Sequence, residues 1–159
     1  NGVGSWHAEG LAPRVGIVEN VTISNIQAVN AGAVACSISG YPGHHVKNVK
    51  LSNIDLAFKS AGTEADISAE VPERSAACPF PKIFLMDLPA YGFFLRHVRD
   101  MSIDGLNLRP PENEPRPELV ADDVHGLQVT RFKSHHPKRA KAPWRVSNST
   151  GVSVSAVPQ

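Results

Sequence analysis

The chain has 159 residues and a formal net charge of +1, a length usual for one domain and a charge too small to select nucleic acid or an anionic membrane. Hydrophobic residues make up 42% and charged residues 19%, which supports a packed core and excludes a disordered chain. No apolar run is long enough to cross a bilayer as a helix, and two cysteines, Cys36 and Cys78, provide neither a disulfide framework nor a metal-site spacing.

The chain opens on Asn1 with no signal-peptide pattern after it, so it reads as cut or processed from something longer. Residues 18–26, VENVTISNI, alternate apolar and polar side chains, the period of a strand with one buried face. AVACSI (33–38) is a second short strand, in which Cys36 reads as a small buried hydrophobe. VKNVKLSNI (46–54) repeats the first pattern. Residues 59–90 carry Pro72, Pro79, Pro81 and Pro89 with mixed charge; they read as a long loop insertion around an apolar stretch, Ile83–Met86, and such loops are usually functional or disordered. GFFLRH (92–97) then leads into VRDMSIDGL (98–106), a third copy. RPPENEPRP (109–117) reads as a polar turn, ELVA (118–121) as a strand, and VHGLQVTRF (124–132) as a fourth copy. The basic stretch 133–145, with Lys133, Lys138, Arg139, Lys141, Arg145, His135 and His136, reads as a solvated connection before STGVSVSAV (149–157), a weaker last copy.

Start-to-start spacings of the copies are 28, 52, 26 and 25 residues, the second being either two periods or one period with an insertion. A short strand every ~25 residues cannot bury its apolar face alone, so the copies must stack. The expected fold is all-β: a right-handed parallel β-helix of the pectin-lyase-like solenoid type, one segment over 1–159. Asn25 and Asn53 fall at equivalent strand ends and would lie over one another as an amide ladder. A leucine-rich repeat would need Leu at fixed offsets, and a β-sandwich would not repeat its sequence from strand to strand.

The segments VENVTISNI, SGYPGHHVKNVKLSNI, LPAYGFFLRHVRDMSIDGLNL and RPELVADDVHGLQV, in that order over about residues 14–132, resemble bacterial members of glycoside hydrolase family 28, the polygalacturonase-like pectin enzymes. The resemblance implies a secreted or periplasmic β-helix that cleaves glycosidic bonds of an acidic plant polysaccharide by inversion, one carboxylic acid protonating the leaving oxygen while others activate water. The family's catalytic Asn-Thr-Asp motif does not occur. Asp122 and Asp123, with His125 and Gly126 just after them, imitate the family's Asp-Asp and His-Gly motifs, which the family separates by about one coil. Adjacent strand residues also point to opposite faces, so neither aspartate is assigned catalysis. At NGVGSW, Gly4 and Trp6 stand in one register where the family has its substrate-holding Arg and Lys; in the alternative register that arginine strand ends just before Asn1. The resemblance therefore makes this chain the C-terminal coils of the enzyme, with the catalytic aspartates upstream of residue 1 and no hydrolysis by the chain alone.

Four residues remain as expected substrate contacts. By the resemblance, Tyr41 falls near the position of the family's sugar-contacting tyrosine. His44 follows in the same turn, with His45 beside it. Arg96 would offer a cation to a uronate carboxylate, with a coil-to-coil salt bridge as the alternative, and Trp6 would stack on a sugar ring. Tyr91 is expected in the core. Adjacent histidines make no metal site without a third ligand, so neither a metal nor a cofactor is expected. Cutting a solenoid exposes an unpaired end, so end-to-end self-association is expected of the isolated chain. Two rivals keep the architecture: a non-catalytic carbohydrate-binding β-helix, and a uronate lyase or epimerase, for which no dense Ca²⁺-binding carboxylate cluster is visible.

Overall fold

The computed structural model describes residues 16–73, 88–135 and 140–156. Trp6, Gly4, Cys78, the apolar stretch Ile83–Met86, His136, Lys138 and Arg139 lie outside them. Within them the chain is all-β apart from one helical turn, α1 (Glu64–Ile67). The strands are β1 (Glu19–Ala31), β2 (Cys36–Ser39), β3 (Val46–Phe58), β4 (Phe93–Arg109), β5 (Leu119–Lys133), β6 (Trp144–Ser147) and β7 (Thr150–Ala156). They form one sheet in the order β1-β3-β4-β5-β6, with β2 also on β4 and β7 also on β5, and every pairing in it is parallel.

Each copy of the repeat pairs with the next in register. Val21 lies beside Val49, Val49 beside Met101, Met101 beside Leu127, and Leu127 beside Val152. Because Val46 pairs directly with Val98, the 52-residue spacing is one period carrying an insertion. WRVS (144–147), read from sequence as the end of a basic connection, is instead a strand on Leu119–Asp122. It repeats the short first strand of the copies before it.

The apolar positions do not keep a strict period of two. On β3 the buried residues are Val46, Val49, Leu51, Ile54, Leu56 and Phe58, and on β4 they include Val98, Met101, Ile103, Leu106 and Leu108. The steps of three each straddle a residue with positive φ: Asn48 (49°), Asn53 (53°), Asp100 (54°) and Gly105 (75°). A left-handed residue in an extended chain bends it and adds one outward position before the inward alternation resumes. These bends stack across the sheet. Asn20, Asn48, Asp100, Gly126 and Gly151 occupy one register column, and Asn25, Asn53, Gly105 and Arg131 a second. Residues that tolerate this backbone, Asn, Asp and Gly, fill most of both columns. Asn53 therefore does not end its strand but bends it, and its amide donates to the Asn25 side chain at 3.0 Å while Asn48 donates to Asn20 at 2.6 Å. The expected ladder exists, at two levels rather than one.

The core lies on the inward side of the stacked bends, from Val46 to Phe132, with Tyr91 fully buried in it as expected. Burial, and then the charge of Glu118 beside it, pushes the Tyr91 phenol far up. Cys36 is half-buried against this core, and burial raises its thiol. A second, smaller core of Ala35, Leu88, Ala90, Phe94 and Val120 covers the opposite face of the short strands, with Val71 packed on it. Val71, Leu88 and Ala90, the described residues of the insertion in this cluster, thus lie over that face.

The turn after β4 departs most from the expected polar turn. Glu114, Arg116 and Glu118 are all fully buried. The Arg116 guanidinium bonds Glu114 through Nε (2.8 Å) and Nη2 (2.9 Å), and donates to the carbonyls of Ala33 and Leu88. Gly62 presses so closely on this guanidinium that a Cβ there would collide with it, while its own N–H donates to Glu114 at 3.0 Å. One buried cation therefore ties both ends of the insertion to the stacked sheet, with its charge and its donors satisfied.

If left-handed backbone sets the bends, Asn53→Val is expected to lower stability by about 1–2 kcal/mol, and Asn53→Gly by much less, in urea unfolding followed by circular dichroism. Equal losses for the two would show that the amide ladder, not the backbone, matters at this position.

Candidate functional site

A third column of bends carries chemistry rather than amides. His97 (φ 52°), Asp123 (φ 53°) and Asn148 (φ 50°) are left-handed and stacked, each one residue past a short first strand. Inward neighbours Ala121 and Val124 are fully buried, whereas both Asp122 and Asp123 remain partly exposed. The sequence argument that these two aspartates must face opposite ways fails here, because the bend at Asp123 suspends the alternation and puts both carboxylates outside. Their partners separate them instead. Asp122 accepts from Ser147 (2.9 Å) and Asn148 (2.8 Å), and Asp123 gathers histidines.

Three imidazoles converge on the Asp123 carboxylate. His97 Nδ1 lies 2.6 Å from Oδ2, His45 Nε2 3.0 Å from Oδ2, and His125 Nε2 2.9 Å from Oδ1. His45 directly precedes Val46, which pairs with Val98 next to His97, so His45, His97 and Asp123 come from successive repeats. His125 lies two residues beyond Asp123 on the same repeat. The rings stand close, with the centroid of His45 6.1 Å from that of His97 and 5.6 Å from that of His125. His125 Nδ1 meets Thr150 Oγ1 at 2.9 Å. The second nitrogen of His97 meets Glu73 at 3.0 Å. The hydrogen bond from His97, then that from His125 and the charge of His45, hold the Asp123 carboxyl below the usual carboxylate range against the opposing effect of burial.

The expected contact residues divide around this cluster. Tyr41 and His44 form a two-bond turn, Tyr41 N–H to His44 O at 3.0 Å and His44 N–H to Tyr41 O at 2.7 Å, with His44 exposed. Within the histidine pair it is His45, one residue on, that turns into the cluster. Arg96 is buried, 4% exposed, with its guanidinium on Glu73 (3.0 Å), Val71 O (2.7 Å) and Pro72 O (3.3 Å). It clamps the insertion to the sheet, the salt-bridge alternative weighed from sequence, though to the insertion and not to the next coil.

Two grooves flank the short strands. One, of about 360 Å³, is polar and runs past Glu70, Glu73, Arg96, Asp122 and Arg145. The other, of about 340 Å³, is more apolar and is lined by Ile67, Pro115, Pro117, Trp144, Lys141 and Arg145. Trp144 and the exposed Arg145 sit on β6, the strand that sequence reading missed. A β-branched alternation too short to stand out hid them. His97 was hidden differently, since nothing in the sequence says that it will meet Glu73, 24 positions before it, and Asp123, 26 positions after it.

No family model matches the chain, no curated protein matches it, and no solved structure matches it.

Asp123 is held low in the folded state, so it contributes stability above its ordinary value of about 3.9, and that contribution is lost as pH falls toward the folded value. In EDTA-containing buffer the stability gap between the parent chain and Asp123→Asn is therefore expected to narrow as pH falls below about 5. A gap that stays constant in urea unfolding would show that the carboxylate's charge is not what stabilises the site.

Proposed function

We propose that this chain forms part of a right-handed parallel β-helix glycoside hydrolase of the polygalacturonase type, acting on an acidic polysaccharide and supplying part of its cleft wall, while the catalytic aspartates belong to coils preceding VENVTISNI. The observation that carries this reading is the ordered set of motifs now set on successive, in-register parallel repeats. Support for the solenoid comes from the stacked bends and from the general right-handedness of crossovers between parallel neighbours. Support for an acidic ligand comes from the groove around Trp144, where an indole lies beside Lys141 and Arg145. A sugar ring packs on an aromatic face while its carboxylate takes a guanidinium or ammonium donor.

That same groove favours a second reading, a non-catalytic carbohydrate-binding module. One pair of experiments separates the two. The chain alone is expected to release no reducing ends from polygalacturonate, yet to bind oligogalacturonate with an affinity that falls roughly tenfold in Arg145→Gln. Joined to its upstream coils, it regains hydrolysis if it belongs to the enzyme and only binds if it is a module. Turnover by the isolated chain that Asp123→Asn abolishes would overturn the assignment of catalysis to upstream coils.

The exposed side of β1 supports association between copies. Among the described residues β1 is an edge of the sheet, and Ile17, Val18, Ile23, Ile26 and Val29 are exposed along or next to it, an apolar edge of the kind that invites pairing. Sedimentation velocity is expected to show a mass that rises with concentration, and to revert toward monomer in Ile23→Lys. A single monomeric species at all concentrations would rule this out.

A further inference from the structure

The His45–Asp123–His125 cluster has the make-up of a transition-metal site. His45 Nε2, an Asp123 oxygen and His125 Nε2 all lie within 4.8 Å of one another. His45 Nε2 lies 3.0 Å from Oδ2 and His125 Nε2 2.9 Å from Oδ1, each close to the spacing of about 3.3 Å that ligand atoms show around a tetrahedral ion bound at about 2.0–2.2 Å. Two imidazoles and one carboxylate suit Zn²⁺-like ions and not Ca²⁺ or Mg²⁺, which take oxygen.

Two further observations point to a ligand. The His45 side chain is nine-tenths buried, and its Nε2 is closed to solvent and makes no hydrogen bond, although it aims at Asp123. The 3.0 Å approach to Oδ2 is an electrostatic contact without hydrogen-bond alignment, which leaves a buried ring nitrogen directed at a carboxylate and without a hydrogen-bond partner. A metal ion on that lone pair would satisfy it. The surrounding groups are also those that orient metal ligands. Thr150 holds His125 Nδ1, so that a proton on Nδ1 leaves Nε2 free to coordinate. His97 bonds Asp123 Oδ2, and Glu73 bonds His97 in turn.

We propose that His45, Asp123 and His125 bind one Zn²⁺-class divalent ion, with Thr150 and the His97–Glu73 pair orienting the ligands and one coordination position left open. The site joins the turn after Tyr41 to a repeat two steps along the stack. Binding removes protons from any ligand nitrogen that carries one, so these are released to solvent. An open fourth position would admit water or an anionic oxygen of a ligand.

The test is a titration of the full chain, freed of metal by chelator, with Zn²⁺ against a chromophoric indicator, and with Co²⁺ followed by visible absorbance. The expected result is one ion per chain, with the intense d–d bands of a four-coordinate site. His45→Ala and His125→Gln are each expected to weaken binding more than tenfold, and Thr150→Ala about tenfold. His44→Ala and His135→Ala, whose side chains are exposed outside the cluster, are expected to bind as the parent does. If His45→Ala does not fold by circular dichroism, His125→Gln decides alone. Absence of binding at roughly 100 μM Zn²⁺ by the folded parent, or unchanged affinity in a folded His125→Gln, would overturn the proposal.

Discussion

Left-handed backbone at stacked positions organises the whole molecule. A residue at positive φ strains any side chain but glycine's, by about 1–2 kcal/mol, least for Asn and Asp, and this chain places such residues one above another in three columns. Each bend moves the next apolar residue from the second to the third position, so the inward face is kept as the chain turns. Parallel pairing then forces the same bend on the neighbouring repeat, since a register slip of one residue would send its apolar set outward. The core from Val46 to Phe132 exists because every copy bends at the same place.

The functional cluster follows from the same constraint. A bend turns two successive side chains outward, and stacking brings those of successive repeats within reach. In two columns the result is an amide ladder. In the third, His97 and Asp123 occupy the bend, and His45 and His125 close on it from either side. Backbone that would otherwise only turn a corner thereby concentrates three imidazoles on one carboxylate.

The insertion is held by charge rather than by pairing. Arg116, fully buried, binds Glu114 and two carbonyls from distant segments, and Arg96 takes the carbonyls of Val71 and Pro72 together with Glu73. The described residues of the insertion pair with no strand of the sheet, so their backbone finds other partners, and guanidinium groups supply several donors in a fixed fork. Arg96 is thereby committed to structure, whereas Lys141 and Arg145, the latter donating to the Ile67 carbonyl, stand exposed beside Trp144.

The repeat was legible without coordinates. VENVTISNI and VKNVKLSNI announce strands, period and stacking, and Asn25 over Asn53 was visible as a ladder because identical residues at identical offsets must meet once copies stack. Tyr91 could be placed in the core for a like reason, by its position just ahead of a buried strand. What only the tertiary structure decided is whatever depends on the bends and on distant pairing. Whether 52 residues made one repeat or two was open until Val46 met Val98. Asp122 and Asp123 were read as opposed because alternation is a property of straight strands, and the bend at Asp123 lies outside that rule. RPPENEPRP reads as solvated because its composition is polar, and composition cannot say that Arg116 will find Glu114, Ala33 and Leu88 in one buried place. The histidine cluster is the extreme case: His45 and His97 share no local pattern with Asp123 and His125, and they reach them only because parallel stacking converts separations of a whole period into neighbouring positions.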